Sequence, residues 1–155
     1  MKKSLKYKDS TDKLMGHWTL DVYRGDEHTP ETFIKRIEGD NLITTVGKQM
    51  ILDRLFGLSA VGAMTRIGVG TDNTAAAIGN TSLTGGVFVN YDSAATRSSL
   101  VVTCVGTFPT GTANITWAEL GMDNGTTLLN RIAPIGPFTK TSAVSIVVTV
   151  TITQS

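Results

Sequence analysis

Few side chains in this sequence belong to the types that catalysis or metal binding requires. The chain contains two histidines, His17 and His28, and a single cysteine, Cys104. Their spacing fits no ligand pattern of a zinc site, and one cysteine excludes an internal disulfide framework. Cys104 lies within the apolar run 100–105, so we interpret it as a small core residue. We therefore expect no metal ion and no cofactor.

Glu119 and Asp123 form a carboxylate pair of the kind that glycoside hydrolysis uses. Asp123, however, opens the turn sequence Asp-Asn-Gly, where we expect its side chain to be exposed. The glycine-rich segment 68–72 lacks the Gly-Lys-Ser/Thr ending of a phosphate-binding loop and leads into no helix, so it predicts a turn. The sequence therefore predicts no catalytic residue, and we expect the protein not to be an enzyme.

Glu119 also has a second interpretation, because Arg131 follows on the opposite arm of a predicted hairpin. The turn of this hairpin is 123–125, where Asn-Gly favours the positive φ angles of a tight turn. A three-residue loop places Glu119 and Arg131 diagonally on one face, within reach of long side chains. Since burying a carboxylate alone is costly, we predict a structural ion pair that fixes the hairpin.

Charge is low overall and unevenly distributed. The net charge of +1 provides no general attraction to nucleic acid or to a membrane surface. A solvated surface normally interleaves charges of both signs. We interpret the C-terminal half as sheet faces that other protein chains cover, as in an assembly subunit. From Gly85 to the C-terminus only six side chains are charged: Asp92, Arg97, Glu119, Asp123, Arg131 and Lys140.

The first fifteen residues form a polar, basic segment with few apolar residues. We expect a flexible arm at 1–15 and a single domain at 16–155. The arm is either a solubilising tail or a segment that orders against a neighbouring subunit through its lysines. It lacks the apolar stretch of a secretory signal, and no segment is long and apolar enough to span a membrane, so we expect folding in a cytoplasm. The arm lysines are Lys2, Lys3, Lys6, Lys8 and Lys13.

Apolar and polar residues alternate in several segments, which predicts strands. In the first of these segments Trp18, Leu20 and Val22 share one face. The turn-forming residues 39–41 are expected to close the second strand. The predicted strands are 17–23, 32–38, 66–69, 99–108, the two arms of the hairpin 114–132, and 144–153.

One helix is predicted, at about residues 46–57. A threonine at 44 or 45 provides an N-cap, and Gly57 provides a C-cap. Apolar residues recur near the helical period and form a stripe that we expect to pack on a sheet: Val46, Met50, Ile51, Leu55 and Phe56. Together with the strands, the helix predicts a mainly β fold, an antiparallel β-sandwich or jelly-roll-like domain with one α-helix.

Several short motifs occur in a characteristic order between about residues 39 and 152. They are Asn41 to Lys48 leading into the helix, Ile67 to Thr71, Ala118 to Met122, Leu128 to Arg131, Pro134-Ile135, and Phe138 to Lys140. This order resembles small virion proteins of tailed bacteriophages. That group includes capsid decoration (cement) proteins and the head-proximal parts of tail fibre or collar proteins.

The resemblance implies a β-sandwich subunit, commonly trimeric, that binds other virion proteins and has no catalytic site. Decoration proteins hold neighbouring capsid subunits together on the outside of the shell, so the expected partners are the major capsid protein or other virion proteins. The chain ends with its last predicted strand rather than continuing into a shaft, which favours decoration. We therefore expect a homotrimeric cement protein in the virion, with no membrane association and no specific nucleic-acid binding. A tail fibre, collar or adaptor subunit and a lectin-like binding module are the alternatives.

Overall fold

A computed structural model describes residues 13–155 of the chain. Four of the predicted arm lysines, Lys2, Lys3, Lys6 and Lys8, lie outside the described residues. Lys13 is described and exposed, and its backbone N–H donates to the Ser155 carbonyl oxygen at 3.3 Å. The first strand already begins at the next residue, so the last two residues of the predicted arm belong to the sheet.

Residues 13–155 form eleven strands and one helix. The first strand, β1, spans Leu14–Arg24, β2 spans Phe33–Ile43, and the helix α1 spans Thr45–Phe56. The remaining strands are β3 (Arg66–Gly70), β4 (Val87–Asn90), β5 (Thr96–Ser98), β6 (Val101–Phe108), β7 (Thr116–Trp117), β8 (Glu119–Asp123), β9 (Leu128–Ile132), β10 (Phe138–Thr139) and β11 (Val144–Gln154). The prediction of a mainly β fold with one helix is confirmed.

Nine strands form one antiparallel sheet in the order β4-β3-β8-β9-β2-β1-β11-β6-β5, and β10 pairs with β7 separately. The sheet curls, because β4 and β6 meet although they lie near opposite ends of this order. Just after β4, the Asp92 N–H donates to the Val105 carbonyl oxygen at 2.8 Å. A Cβ at Gly106 of β6 would lie 3.3 Å from the Val89 side chain of β4. The core therefore lies inside a curled, sandwich-like sheet.

The inner face of the sheet follows the alternation in the sequence. Trp18, Leu20 and Val22 of β1 are buried, as predicted, and lie in register opposite Val150, Val148 and Ile146 of β11. Side chains from the other half of the sheet complete the same cluster, among them Ile67, Val69, Leu120 and Met122. The alternating pattern of β11 is likewise confirmed.

The second strand is longer than predicted. Residues 39–41 do not form a turn; they continue β2 to Ile43 and pair with β1, with Gly39 opposite Trp18 and Asn41 opposite Gly16. Their turn preference is weak compared with the ladder of hydrogen bonds that β1 offers over its whole length. The prediction of a turn at these residues was wrong.

The ends of α1 are capped as the sequence predicted. The Thr44 hydroxyl accepts the Gly47 N–H at 3.0 Å, and Gly57 ends the helix with a φ of 62°. The first turns dock on β9, where a Cβ at Gly47 would lie 2.3 Å from the Leu129 carbonyl oxygen. Glycine at this position therefore allows the helix to approach the sheet closely.

Only part of the predicted apolar stripe of α1 packs on the sheet. Met50 is buried and Ile51 is partly buried, but Leu55 and Phe56 are 72% and 68% exposed. The helix contacts the sheet through its first turns, so its C-terminal half has no sheet beneath it. The prediction that the whole stripe packs on the sheet was wrong.

Candidate functional site

Glu119 and Arg131 lie on neighbouring strands, β8 and β9. Arg131 is opposite Gly121, so Glu119 is its diagonal neighbour on the same face of the sheet. The Arg131 Nε donates to Glu119 Oε2 at 2.5 Å, and both side chains are almost completely buried. The structure therefore brings the two predicted residues together in a charge-assisted hydrogen bond.

The rest of the Arg131 guanidinium binds a loop rather than the hairpin. Residues 71–86 connect β3 to β4 and cross the Glu119–Arg131 pair. The terminal nitrogens of Arg131 donate to acceptors of this loop: Nη1 to Ala75 O at 3.4 Å and Asn80 Oδ1 at 3.1 Å, and Nη2 to Asp72 O at 3.3 Å and Asp72 Oδ2 at 3.1 Å. All three guanidinium nitrogens thus have acceptors, which offsets the cost of burying the charge.

The second oxygen of Glu119 binds the same loop. Glu119 Oε1 accepts the Thr84 N–H at 2.7 Å and the Asp72 N–H at 3.3 Å. The carboxylate therefore joins Arg131 to both ends of the loop. The pair does more than link the arms of a hairpin, because it attaches the loop 71–86 to the sheet.

Sequence reasoning missed the loop residues Asp72, Asn80 and Thr84. Asp72 and Asn80 are polar residues in a loop otherwise rich in alanine, glycine and threonine, but nothing in their spacing indicates a shared partner. The Thr74 hydrogen bonds, and then the nearby Arg131 charge, lower the pKa of Asp72 below its ordinary value. Asp72 therefore favours its ionised form beside the guanidinium.

The carboxylate pair of Glu119 and Asp123 does not form an open acid/base site. Asp123 binds Arg66 in a bidentate contact, with both N–O distances at 2.8 Å. It is the last residue of β8 and is buried, so the prediction of an exposed turn residue was wrong. The two side chains can meet because Arg66 lies opposite Asp123 in the ladder between β3 and β8. Both carboxylates are thus engaged by arginines.

Lys140 is a second buried cation. Its Nζ donates to the Pro109 carbonyl oxygen at 2.8 Å and to Asn114 Oδ1 at 3.0 Å. Burial lowers the pKa of Lys140, and the charge of Asp26 partly opposes this shift. Lys140 therefore holds the turn between β6 and β7, as Arg131 holds the loop 71–86.

The histidines and the cysteine are dispersed. His17 contacts Asp40 at 2.9 Å on the exposed side of the sheet, and His28 contacts the Ser145 hydroxyl at 3.0 Å. Cys104 is buried in the core, and burial raises its pKa. Across residues 13–155 no group of three or more His, Cys, Asp or Glu side chains is arranged to hold a metal ion.

Two surfaces are unusual for a solvated protein. The first, the apolar helix face, consists of Leu52, Leu55 and Phe56 of α1 together with Leu58, each more than half exposed. Their spacing of three and four residues places the three helix residues on one side, away from Met50.

The second surface, the Thr/Val face, is the outer side of the paired strands β6 and β11. All eight of its residues are β-branched, uncharged and partly exposed: Val101, Thr103, Val105, Thr107, Val147, Thr149, Thr151 and Thr153. An outer sheet face without one charged residue departs from the mixed charge of ordinary protein surfaces.

No helix among the described residues is long and apolar enough to cross a membrane. Comparison with known proteins gave no match to any protein family, curated protein or solved structure.

Proposed function

We propose that this protein is a structural subunit of a tailed-bacteriophage virion, a decoration (cement) protein that binds between capsid subunits and stabilises the head shell. The apolar helix face is the observation that carries the proposal. Exposure of Leu52, Leu55 and Phe56 to water is unfavourable, and clustered apolar surface marks sites of protein association. When neighbouring chains cover this apolar surface, its removal from water contributes favourably to the free energy of binding.

The Thr/Val face supports the same function. The centres of protein interfaces are depleted of charged residues, because each buried charge must lose its hydration. Val105, Thr149 and the other residues of this face carry no charge, so charge lies only at its margins, where Asp92 accepts the Thr107 hydroxyl and Asp21 lies opposite Val147. A homotrimer that buries one of the two faces, while the other contacts the capsid, accounts for both surfaces.

The contacts of the polar residues fit a structural role. The buried charged side chains form hydrogen bonds with the protein's own loops and strands. These residues are Glu119, Arg131, Asp123 and Lys140. The assignment to a virion rests on the order of short motifs between residues 39 and 152, which resembles decoration and head-proximal tail proteins. We therefore place the protein on the capsid and expect no catalysed reaction.

Cryo-electron microscopy of phage particles assembled in cells that produce this protein tests the proposal. Density for the chain at many equivalent positions of the head lattice is the expected result. Density restricted to the neck or tail would assign it to a fibre, collar or adaptor instead. Particles without the protein would overturn the virion assignment altogether.

A further inference from the structure

A groove opens in the sheet between β2 and the segment that follows β9. Strand β2 pairs with β9 only at Leu42 and Ile43. Before Leu42 the two diverge, and a groove of about 460 Å³ lies between residues 37–42 of β2 and residues 131–135. Within residues 13–155, β2 pairs only with β1 over residues 35–41. The edge of β2 that faces away from β1 therefore presents backbone N–H and C=O groups to the groove.

Apolar residues line the groove. Ile37, Ile132 and Ala133 are partly exposed and Pro134 is exposed, and the buried side chains of Trp18, Leu20 and Leu120 lie beneath them. The Trp18 Nε1 is buried and has no hydrogen-bond partner among residues 13–155, and the same holds for both side-chain amide atoms of Asn41, which also lines the groove.

We propose that this groove binds an extended peptide as an added β-strand, and that the peptide is the N-terminal segment, residues 1–12, of a second copy of this chain. Strand addition of this kind uses main-chain hydrogen bonds for affinity and alternating side chains for specificity. The inference concerns association between copies of the chain and does not depend on the virion assignment.

The sequence of the N-terminal segment matches the two sides of β2. In an extended chain Leu5 and Tyr7 share one side, and Lys6 and Lys8 share the other. On β2, Ile37, Gly39 and Asn41 share the side of Trp18 and Leu20, which is the inner side. Leu5 and Tyr7 would therefore lie on the side of the partly exposed Ile37, above the buried Trp18 and Leu20, while the two lysines face outwards.

Charge is complementary on the outer side. Glu38 and Asp40 lie there, with side chains 53% and 89% exposed. Glu38 has Arg36 at 4.0 Å, and Asp40 has His17 at 2.9 Å. Two lysines from an added strand would lie beside two carboxylates in a cross-strand arrangement that stabilises paired strands.

The direction of the chain indicates that residues 1–12 bind the groove of another copy rather than the groove of their own copy. Strand β1 begins at Leu14, beside the Asn41 end of β2 and on the side away from the groove. A chain's own segment would have to cross β2 and run parallel to it, whereas every ladder between the strands described above is antiparallel. The segment of another copy can enter antiparallel, and twelve residues span about 40 Å, more than the roughly 23 Å of a seven-residue edge.

Hydrogen–deuterium exchange of the full-length protein across a range of concentrations tests the proposal. Backbone amides of residues 35–41 should become at least about tenfold more protected as concentration rises, since strand addition requires a second copy. The pair Lys6→Glu and Lys8→Glu should abolish this protection. Adding Glu38→Lys and Asp40→Lys should restore it. The control pair Lys2→Glu and Lys3→Glu changes the net charge by the same amount but lies outside residues 5–8, so it should leave the protection of residues 35–41 unchanged.

Three outcomes would overturn the proposal. Amides of residues 35–41 that exchange fast at every concentration would show that the groove binds no strand in the purified protein. Protection that does not depend on concentration would indicate the segment's own copy. Protection that rises with concentration but ignores the lysine reversals would indicate association through another surface, such as the apolar helix face.

Discussion

Arg131 shows how a full charge can be held inside a β-rich protein. Its side chain is almost completely buried, yet its guanidinium donates to Glu119, Ala75, Asn80 and Asp72. The Glu119 carboxylate neutralises the charge, and the loop supplies the remaining acceptors. Removing Arg131 would leave the buried Glu119 without a counterion, and removing Glu119 would leave Arg131 with only the partly exposed Asp72. Breaking a buried pair in this way costs more than the pair itself contributes.

Replacing Glu119 by glutamine should therefore lower the free energy of unfolding by about 3 kcal/mol. Glutamine keeps the size of the side chain but leaves Arg131 with only the partly exposed Asp72 carboxylate, at 3.1 Å, as a negative partner. Urea denaturation measures the change, and hydrogen–deuterium exchange should show faster exchange across residues 71–86. Unchanged stability, with the loop as protected as before, would contradict a structural role for the pair.

Arg36→Gln is the matched control. It removes the bidentate contact of Arg36 with Asp21, whose N–O distances are 2.6 and 2.7 Å. The Arg36 side chain is about half exposed, so solvent screens the pair. We therefore expect this variant to lose much less stability than Glu119→Gln.

Asp72 gives the site a dependence on pH. Its folded-state pKa is lowered by the Thr74 hydrogen bonds and by Arg131, so its contribution to stability is present above the ordinary value of 3.8 and is lost as pH falls through the lowered pKa. In Asp72→Asn, stability at pH 5 should be reduced, and the difference from the native protein should shrink towards pH 2. Urea midpoints across this range are the measurement. A difference that is the same at both ends would contradict the ionic role.

The hairpin partners of the site could be predicted from the sequence, whereas the loop residues could not. The Asn-Gly sequence predicts the hairpin but not its register. A three-residue loop at 123–125 would place Arg131 opposite Trp117, whereas the structure has the loop at 124–127 and places Arg131 opposite Gly121, so the predicted loop was wrong. Glu119 is the diagonal neighbour of Arg131 in both registers.

The loop 71–86 has no periodic pattern, and it is held by contacts with residues distant in sequence, among them Arg131, Thr45 and Ala133. The contacts of Asp72, Asn80 and Thr84 follow from the path of the loop, so local sequence carries little signal for them.

At the scale of elements, the helix shows the limit of periodicity. Both caps of α1 could be predicted from the local sequence, because capping depends on a few adjacent residues. Its apolar residues occur on two sides, with Met50 towards the sheet and Leu52 and Phe56 towards solvent. Which side packs is decided by Gly47, where the backbone of α1 approaches β9. That contact is tertiary and is invisible in the periodic pattern.

Gly47→Ala tests this docking contact. Alanine favours an isolated helix over glycine by about 1 kcal/mol. Here its Cβ would meet the Leu129 backbone at 2.3 Å, so the helix must shift, and we expect a net loss of about 1–3 kcal/mol in unfolding free energy. Gly62→Ala, which has open space around the new methyl group, should change stability by less than about 0.5 kcal/mol. A stabilising Gly47→Ala would contradict the close approach.

At the scale of the whole molecule, the sheet curls around one core and leaves two uncharged surfaces outside it. Residues 39–41 illustrate why the sequence predicted the fold class better than the strand ends. Their composition favours a turn, but a full-length partner in β1 keeps them extended as far as Ile43. The low charge of the C-terminal half, in contrast, is a property of the sequence itself and corresponds to the Thr/Val face of β6 and β11.

Sedimentation velocity of the full-length protein across concentration tests the central claim, that neighbouring chains cover these uncharged surfaces. We expect the native protein to sediment as a trimer. The pair Leu55→Ser and Phe56→Ser should weaken association without loss of fold, because both side chains are exposed in the single chain. Ile34→Ser, another exposed apolar position, is the control and should sediment like the native protein. A native protein that remains monomeric at the highest concentration reached would contradict the account.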